Sequence, residues 1–313
     1  MQIGKSSVGR EIRNVLICGY GVMGQAVAAT FAAAGFHTVI YSRRAASLTD
    51  LPPGTTAVSS LTDALPDLAI EFASEDVAVK QAVCRHIEMA YPGDEVIIAT
   101  GTSGLDLVEL ARPLAHPQRF VGLHYFMPAD TSPVVEVMAG PSASAELVDR
   151  VADAVAHTGK EPLRLYKPMV GFLLNRLQHA ILHEAYYLIE AGVASAADID
   201  HAARRLLAPR MCLNGLIMQK DISGLNIHAD AQRSIVPALF HNGIPNPMLQ
   251  AMVARGETGL AAGKGFYNWT GRDVKTERAR ASRELAALLE FLDEMNRDAE
   301  PEPPVRELPP RRK

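Results

Sequence analysis

The first part of the chain alternates short apolar runs with helical stretches. An apolar run at 14–18, NVLIC, breaks into a glycine turn and a helical stretch, and a second apolar run follows at 37–41. This succession predicts a β-α-β unit with right-handed parallel pairing. Further short strands are predicted at 68–72, 95–99, 120–123 and 134–137. Because helical segments separate several of these runs, the pattern favours an open α/β sheet.

The pattern changes near 166–170, and from Gly171 onward it is typical of helices. Within 172–191, apolar side chains recur at steps of three and four residues: Leu173, Leu174, Leu177, Ile181, Leu182, Ala185, Leu188 and Ile189. This stripe predicts an amphipathic helix whose apolar face packs against other helices, either of this chain or of a second copy. Ser195 and Asp198 have the spacing of a capping box that begins the next helix. A last amphipathic helix is expected to carry Leu285, Leu288, Leu289 and Leu292.

Composition narrows the class of protein. Hydrophobic residues make up 48% and charged residues 21% of the 313 residues, which excludes disorder for most of the chain. The net charge of -4 indicates neither a nucleic-acid partner nor an anionic membrane. No apolar run approaches the roughly 20 residues of a membrane-spanning helix. Three distant cysteines without metal-ligand spacing are typical of a cytoplasmic protein: Cys18, Cys84 and Cys212.

A glycine-rich turn joins the first predicted strand to the first predicted helix. It fits the pattern G-x-G-x-x-G with Gly19, Tyr20, Gly21, Val22, Met23 and Gly24. The first glycine permits a tight turn, the second lets a pyrophosphate approach the backbone, and the third lets the helix pack on the strand. The pyrophosphate then binds free N–H groups at the helix N-terminus. A turn without a ligand is the alternative, but the strand-turn-helix context favours a dinucleotide site.

These features predict an α/β fold in which a Rossmann-type, doubly wound sheet is followed by an all-α helical domain. We expect the dinucleotide-binding domain at 1–167 and a helical domain for substrate and dimerisation at 168–297. The apolar stripe exceeds what one small helical domain can cover, which predicts a homodimer. Residues 298–313 include five prolines and no apolar periodicity, which predicts a disordered tail.

The residues after the second predicted strand indicate which dinucleotide binds. NAD enzymes normally place Asp or Glu there to bind the ribose 2′-hydroxyl. This chain has Ser42, Arg43 and Arg44 instead. Serine avoids a repulsion of about 4 kcal/mol between a carboxylate and a 2′-phosphate, and guanidinium groups attract phosphate. We therefore expect NADP(H) to be preferred; the alternative is a solvated arginine loop with NAD bound through the backbone.

A histidine at a predicted strand end marks the candidate chemical site. His124 lies in GLHYFMPADTSPVVEV at 122–137, and Glu136 follows in the next apolar run. Histidine titrates near neutral pH and can take the proton of an alcohol. A carboxylate on its other ring nitrogen fixes the tautomer and stabilises the imidazolium. The alternatives are a core histidine and a glutamate on an edge strand.

Around these residues the sequence resembles the L-3-hydroxyacyl-CoA dehydrogenase family, over nearly the whole chain except the tail. The family pattern reads G-L-H-F-F-N-P and then V-E-V, and its helical domain opens with P-G-F-x-x-N-R, which is similar to MVGFLLNR at 169–176. The runs at 184–200 and 263–269, EAYYLIEAGVASAADID and GKGFYNW, also resemble that family. Hydroxyisobutyrate and phosphogluconate dehydrogenases are a nearby alternative, but Gly171 stands where they have their catalytic lysine.

The resemblance implies roles for individual residues. His124 matches the catalytic histidine and Glu136 the glutamate that orients it. Ser103, in TGTSG, matches a serine near substrate and nicotinamide, and Asn175 an asparagine that completes the site. Both could donate hydrogen bonds to a developing oxyanion, or serve instead as turn or cap residues. Cofactor contacts are implied at two further positions, Glu75 and Lys80.

Three departures from the family concern the substrate. Only a short segment separates Ser42 from the strand at 68, which leaves no room for the family's long helical hairpin that contacts CoA. Met127 replaces the asparagine that follows the histidine by three residues. Arg210 lies at 208–215, where the family has G-x-P-M-G-P, and is either a partner for a carboxylate or phosphate or a solvated loop residue. The chemistry is expected to be kept while the substrate has changed.

We therefore expect an NAD(P)-dependent oxidoreductase acting on a CH–OH group. The expected cofactor is NADP(H), with NAD as the alternative, and the expected substrate is a 3-hydroxyacyl or 3-oxoacyl group on CoA, on a carrier protein or as a free acid. The alternatives are a catalytically idle dinucleotide-binding protein and a dehydrogenase of a small free hydroxy acid. His179 and His183 are spaced i and i+4 on a helix, but no third ligand is evident, so no metal is expected.

Overall fold

A computed structural model of the protein describes residues 11–93, 95–129, 131–297 and 303–305. The chain divides into two compact units, Met1–Ala180 and Ile181–Lys313. The domain boundary expected after residue 167 stays a prediction. The predicted disordered tail lies outside the described residues, apart from 303–305.

The first unit is built on an eight-stranded sheet. Its strands are β1 (Asn14–Cys18), β2 (His37–Tyr41), β3 (Thr55–Val58), β4 (Leu68–Glu71), β5 (Ile97–Thr100), β6 (Phe120–Tyr125), β7 (Val134–Ala139) and β8 (Glu161–Leu165). Its helices are α1 (Val22–Ala33), α2 (Val77–Ala90), α3 (Leu107–Ala111) and α4 (Ala145–His157), and α5 (Leu174–Glu190) begins in this unit. The order is β3-β2-β1-β4-β5-β6-β7-β8, with only β6 and β7 antiparallel. The predicted Rossmann-type sheet is confirmed.

Alternation along β1 explains why helices cover both faces of the sheet. Val15 and Ile17 belong to the apolar cluster that contains residues of α1 and α4, whereas Leu16 and Cys18 belong to the cluster that contains residues of α2 and α3. A strand buried on both faces reads as a continuous apolar run, as NVLIC does. Each fully buried aliphatic side chain contributes about 1.5–3 kcal/mol.

Two strands at the sheet edges were not predicted. β3 is only four residues long and none of them is buried, and β8 carries the polar sequence EPLRL with no buried residue. Edge strands face solvent and gain their pairing from a neighbour already in place, so their own apolar pattern is weak. The strand predicted at 95–99 is found at Ile97–Thr100, and the strand predicted at 134–137 is longer, Val134–Ala139.

The strand order brings the candidate residues to one edge of the sheet. β1 pairs with β2 on one side and β4 on the other, so the chain reverses direction of winding there. In doubly wound sheets, ligands bind outside the carboxyl ends of strands at such a point. Gly19 follows β1, Phe72 follows β4 and Gly101 follows β5, and His124 is the last residue but one of β6, which is parallel to β5. The glycine turn and the candidate histidine therefore lie at the same sheet edge.

The second unit is helical, as predicted. It contains α6 (Ala196–Ala202), a π-helical turn (Ala203–Leu207), α7 (Ala208–Asn214), α8 (Met218–Ser223), α9 (Leu225–Ile235), α10 (Pro247–Ala254) and α11 (Val274–Asn296). The capping box is confirmed, since Ser195 accepts from the Asp198 N–H while Asp198 accepts from the Ser195 N–H. Within the described residues, no helix combines the length and apolar content needed to span a membrane.

The apolar stripe of α5 lies largely at the surface of the chain. Leu177 and Ile181 are 41% and 46% exposed, and none of the described residues of this helix is buried. Two aromatic pairs partly cover the other side: Tyr186 stacks on Phe266 and Tyr187 on Phe240, with interplanar angles of 5° and 4°. The face that carries Leu177 and Ile181 is therefore available for burial.

Candidate active site

Close backbone approach explains two of the glycines in the turn after β1. Gly19 has a φ of +114°, and a Cβ there would lie 2.7 Å from the carbonyl oxygen of Phe72. A Cβ on Gly24 would lie 1.9 Å from the carbonyl oxygen of Gly19, so α1 can pack against the turn only with glycine there. The turn is thereby wedged between α1 and the end of β4.

The space above the turn fits a phosphate group. A Cβ on Gly21 would meet no atom within 4 Å, so this side of the backbone is open. Gly21 is the N-cap of α1, no side chain caps the helix, and its first turn carries no acidic residue. Uncapped N–H groups and the helix dipole favour an anion. Val22 at this terminus is exposed and Met23 is half-buried.

The three residues after β2 form a short polar turn. Ser42 Oγ accepts a hydrogen bond of 3.2 Å from the Arg44 N–H. Arg43 and Arg44 are exposed, and neither takes part in an ion pair within the described residues. Both guanidinium groups are thus available to an anionic ligand at the end of β2.

A buried histidine and a buried glutamate face each other across β6 and β7. His124 and Glu136 are register partners of the antiparallel pair, and His124 Nδ1 lies 2.8 Å from Glu136 Oε2. Glu136 is fully buried and His124 is 5% exposed. A carboxylate held on Nδ1 leaves Nε2 as the free ring nitrogen, which can take or give a proton.

The same glutamate also holds the start of α5. Its second oxygen, Oε1, accepts hydrogen bonds of 2.8 and 2.9 Å from the N–H groups of Leu173 and Leu174. These are donors that a helix N-terminus otherwise leaves unpaired. Glu136 thus fixes the imidazole and the helix N-terminus through one carboxylate.

The predicted serine and asparagine lie together at the start of α5. Asn175 Nδ2 donates a hydrogen bond of 2.8 Å to the carbonyl oxygen of Ser103. This uses one of the two protons on Nδ2, and the second is left for another acceptor. The Ser103 N–H donates in turn to Glu75 Oε1 at 2.8 Å.

Glu75 and Lys80 occupy different environments. The Glu75 side chain is 42% exposed and holds the loop that contains Ser103. Lys80 is 0% exposed, and its ammonium group is enclosed by the carboxylates of Glu71 and Glu75 and the carbonyl oxygen of Ala73. Lys80 therefore lies beneath the Ser103 loop, and its predicted contact with the cofactor stays a prediction, as does that of Glu75.

Two aromatic rings flank His124. The Phe126 and Phe172 ring centroids lie 4.3 and 5.1 Å from that of the imidazole. Phe172 is buried and has a φ of +53°, a conformation that costs a non-glycine residue about 1–3 kcal/mol. A Cβ on Gly122 would lie 2.8 Å from the Phe172 ring, so the ring fits only above a glycine.

The other predicted substrate residues are exposed. Met127 is 63% exposed, directly after the Phe126 ring. Arg210 is exposed on α7 in the second unit, and its role stays a prediction. No group of three or more His, Cys, Asp and Glu side chains suited to a metal ion occurs within the described residues. His183 instead contacts the carbonyl oxygen of Asn242 through Nε2.

Sequence reasoning missed several groups beside the site. Glu71 and Thr100 pair in the buried layer under the Ser103 loop, 2.7 Å apart. Tyr125 stands where the family pattern has phenylalanine, and its buried hydroxyl has no hydrogen-bond partner within the described residues. Burial raises the pKa of this phenol. The sequence HYFMP already shows that Tyr125 replaces a phenylalanine of the family pattern. The pairing of Glu71 with Thr100 depends on the fold and has no signal in the sequence.

Two family models match the chain. The model described as 3-hydroxyacyl-CoA dehydrogenase, NAD binding domain, matches residues 53–168, and the one described as 3-hydroxyacyl-CoA dehydrogenase, C-terminal domain, matches residues 171–269. Together they span well over half of the chain. The first match begins after the glycine turn and β2.

Relatives of known activity extend this similarity. The 5-formyl-3-hydroxy-2-methylpyridine 4-carboxylate 5-dehydrogenase of Mesorhizobium japonicum is 28% identical over 308 residues, which cover 90% of this chain and 99% of that protein. The 3-hydroxybutyryl-CoA dehydrogenase of Mycobacterium tuberculosis is 31% identical over 224 residues, covering 69% of this chain and 74% of that protein. A crystal structure of the pyridine carboxylate enzyme, described as an NAD+ dependent dismutase, matches with a TM-score of 0.80, 28% identity, and coverage of 90% and 99%.

The double role of Glu136 leads to a prediction for Glu136→Gln. Glutamine can keep its oxygen on the helix N–H groups only by turning its amide N–H toward His124 Nδ1, which moves the ring proton to Nε2. We expect NMR of the imidazole nitrogens to show this change of tautomer. The free energy of unfolding should fall by about 1–3 kcal/mol. The control is Glu161→Gln, which changes an exposed glutamate on neighbouring β8. Its free energy of unfolding should stay within about 0.5 kcal/mol of that of the wild type. An unchanged tautomer with unchanged stability would contradict the assignment.

Proposed function

The chain belongs to the 3-hydroxyacyl-CoA dehydrogenase family, and on that premise we propose that it transfers a hydride between a nicotinamide dinucleotide and the carbon that bears the hydroxyl or oxo group of a 3-hydroxyacyl or 3-oxoacyl substrate. The observation that carries this proposal is the 2.8 Å contact between His124 and Glu136 at the sheet edge that bears the glycine turn. A histidine so held is suited to general acid and base chemistry.

The dinucleotide has a fitting place in this chain. The open backbone at Gly21 and the uncapped N-terminus of α1 would hold the pyrophosphate, and the turn at Ser42 would lie at the adenosine ribose. When bound, the nicotinamide ring supplies the position that accepts or gives the hydride. The two guanidinium groups of Arg43 and Arg44 support NADP(H) as the preferred nucleotide.

His124 acts as the base in the oxidation direction and as the acid in reduction. Its Nε2 takes the proton of the substrate hydroxyl, while Glu136 holds the Nδ1–H and stabilises the imidazolium that forms. The Ser103 hydroxyl and the second amide proton of Asn175 donate hydrogen bonds to the substrate oxygen as negative charge develops on it. The two aromatic rings beside the imidazole limit its exposure to water.

The segment between β2 and β4 supports a small free acid as a second candidate substrate. Residues 42–67 contain β3 and two short 3-10 helices, Ala45–Ser47 and Leu61–Asp63, and no long helical hairpin. Met127 is an exposed apolar side chain where the family pattern has asparagine. The Mesorhizobium japonicum relative, named for a free pyridine carboxylate, lends further support. An idle dinucleotide-binding protein is disfavoured because the histidine and glutamate are both kept.

A second copy of this chain is part of the proposal. The exposed apolar face of α5 supports a homodimer, since burying such a face stabilises the assembly by roughly 25 cal/mol per Å². The three cysteines are free thiols, which supports a reducing compartment such as the cytoplasm.

The reaction is tested by turnover across acetoacetyl-CoA, an acyl-carrier thioester and free 3-oxo acids. We expect His124→Ala to lower kcat at least about a hundredfold on whichever substrate is used, because it removes the proton acceptor. Dinucleotide binding, followed by nicotinamide fluorescence, should stay unchanged in that variant. Near-normal turnover by His124→Ala would remove the histidine from its role.

The nucleotide preference is tested by comparing kcat/KM for NADPH and NADH. Each lost guanidinium contact with a 2′-phosphate is worth about 1.5–3 kcal/mol, so Arg43→Ala combined with Arg44→Ala should lower the NADPH value at least tenfold and leave the NADH value nearly unchanged. Arg112→Ala, an exposed arginine after α3, is the control. A tenfold advantage of NADH in the wild type would contradict the proposal.

The assembly is tested by light scattering. The wild type should show twice the chain mass of 33.8 kDa, and Leu177→Glu combined with Ile181→Glu should shift it toward one chain because charges would be buried on the α5 face. His179→Glu, an exposed position of the same helix outside the apolar stripe, should leave the mass unchanged. A wild type with the mass of a single chain would refute the dimer.

A further inference from the structure

A fully buried ion pair lies beneath the Ser103 loop. Lys80 Nζ is 3.1 and 3.2 Å from the two carboxylate oxygens of Glu71, and both side chains are 0% exposed. Thr100 Oγ1 donates to Glu71 Oε2 at 2.7 Å, and the Ala73 N–H donates to Oε1. Removing two charges from water costs several kcal/mol per ion, so such a pair is weak evidence of stability. Its placement points to another role.

Glu75 joins this buried pair to the loop. Its Oε2 lies 3.4 Å from Lys80 Nζ. Its Oε1 accepts three hydrogen bonds from consecutive residues of the loop: 2.6 Å from Thr102 Oγ1, 2.8 Å from the Ser103 N–H and 3.3 Å from the Gly104 N–H. Partial burial raises the pKa of Glu75, but these hydrogen bonds and the charge of Lys80 outweigh it and hold the pKa below its ordinary value. The group is therefore an anion at neutral pH.

We propose that Glu71, Lys80 and Glu75 form a positioning relay for the substrate side of the site. The relay acts through the loop 102–104, and it rests on the proposed function because it assigns Ser103 to the substrate oxygen. Glu71 anchors Lys80 to the end of β4, Lys80 anchors the carboxylate of Glu75, and Glu75 fixes the loop backbone.

The relay also positions Asn175, the second proposed hydrogen-bond donor to the substrate, through the backbone of the loop. The Ser103 carbonyl oxygen accepts the hydrogen bond from Asn175 Nδ2, so displacement of the loop also releases the asparagine. Asn175 follows directly on the two N–H groups that Glu136 holds. Both proposed donors thus depend on the position of one loop. A misplacement of about 1 Å in such a group costs roughly a hundredfold in rate.

The test uses Glu75→Gln and Glu71→Gln. Glutamine at 75 can still accept from the loop but loses its attraction to Lys80, and the change at 71 acts on Glu75 only through Lys80. We expect kcat/KM to fall about tenfold or more in both variants, while the Kd of Glu71→Gln for the dinucleotide changes less than threefold. In a background that carries both Ser103→Ala and Asn175→Ala, Glu75→Gln should cost less than about twofold more, because both groups that the loop positions are already absent.

Glu88→Gln is the matched control. Glu88 lies on the same helix, α2, and also accepts from two consecutive backbone N–H groups, those of Ala115 and His116, at 3.0 and 2.8 Å. Its arginine partner, Arg119, lies 3.8 Å away. These residues precede β6, at the sheet edge opposite the site. We expect Glu88→Gln to lower the Tm about as much as Glu75→Gln and to leave kcat/KM within about twofold.

Amide hydrogen exchange gives a readout that needs no substrate. Both relay variants should accelerate exchange at Ser103 and Gly104, and Glu88→Gln should accelerate it only at Ala115 and His116. A rise in the dinucleotide Kd of Glu71→Gln that matches its loss of kcat/KM would overturn the relay in favour of an effect on cofactor binding. Equal penalties with and without the paired changes Ser103→Ala and Asn175→Ala, or unchanged exchange at the loop, would also overturn it. Faster loop exchange in a protein without turnover on any tested substrate would refute the proposed function and support the relay.

Discussion

The carboxylate of Glu136 is the contact on which the site depends. It is fully buried, one oxygen lies on the imidazole of His124, and the other accepts the two N–H groups that begin α5. A buried anion is stable only when its hydrogen-bonding capacity is filled, so the histidine and the helix start are required together. The direction in which α5 leaves the sheet and the orientation of the ring are thereby set by the same group.

Carboxylates that hold two consecutive backbone N–H groups recur in the first unit. Each connects segments far apart in sequence and fixes the backbone that it holds: Asp67 with Arg13 and Asn14, Glu75 with Ser103 and Gly104, Glu88 with Ala115 and His116, and Glu136 with Leu173 and Leu174. Hydrogen bonds to charged groups contribute about 1.5–3 kcal/mol each. The loops are ordered by side-chain anions and not by packing alone.

The sequence predicts those parts of the fold whose signals are local. The run from β1 through the glycine turn to β2 is specified by neighbouring residues, and the capping box at Ser195 is likewise local. β3 and β8 were missed because edge strands take their pairing from a partner in the sheet. The contact of His124 with Glu136 follows from the register of two adjacent strands, whereas the burial of Lys80 depends on β4, α2 and β5 meeting in three dimensions. The spacing of residues along the chain does not predict that these three elements lie together.

Gly122 and Phe172 are far apart in sequence but pack against each other, so the residue at one position limits which residues the other accepts. A methyl group at 122 would strike the rigid ring of Phe172 at 2.8 Å, whereas the other atom it would meet, at the tip of Leu107, can rotate away. A smaller residue at 172 would remove the clash but also take away a wall of the imidazole pocket. Single-site mutational scans should therefore score both positions as intolerant, while libraries that vary the pair together would open combinations that neither position accepts alone.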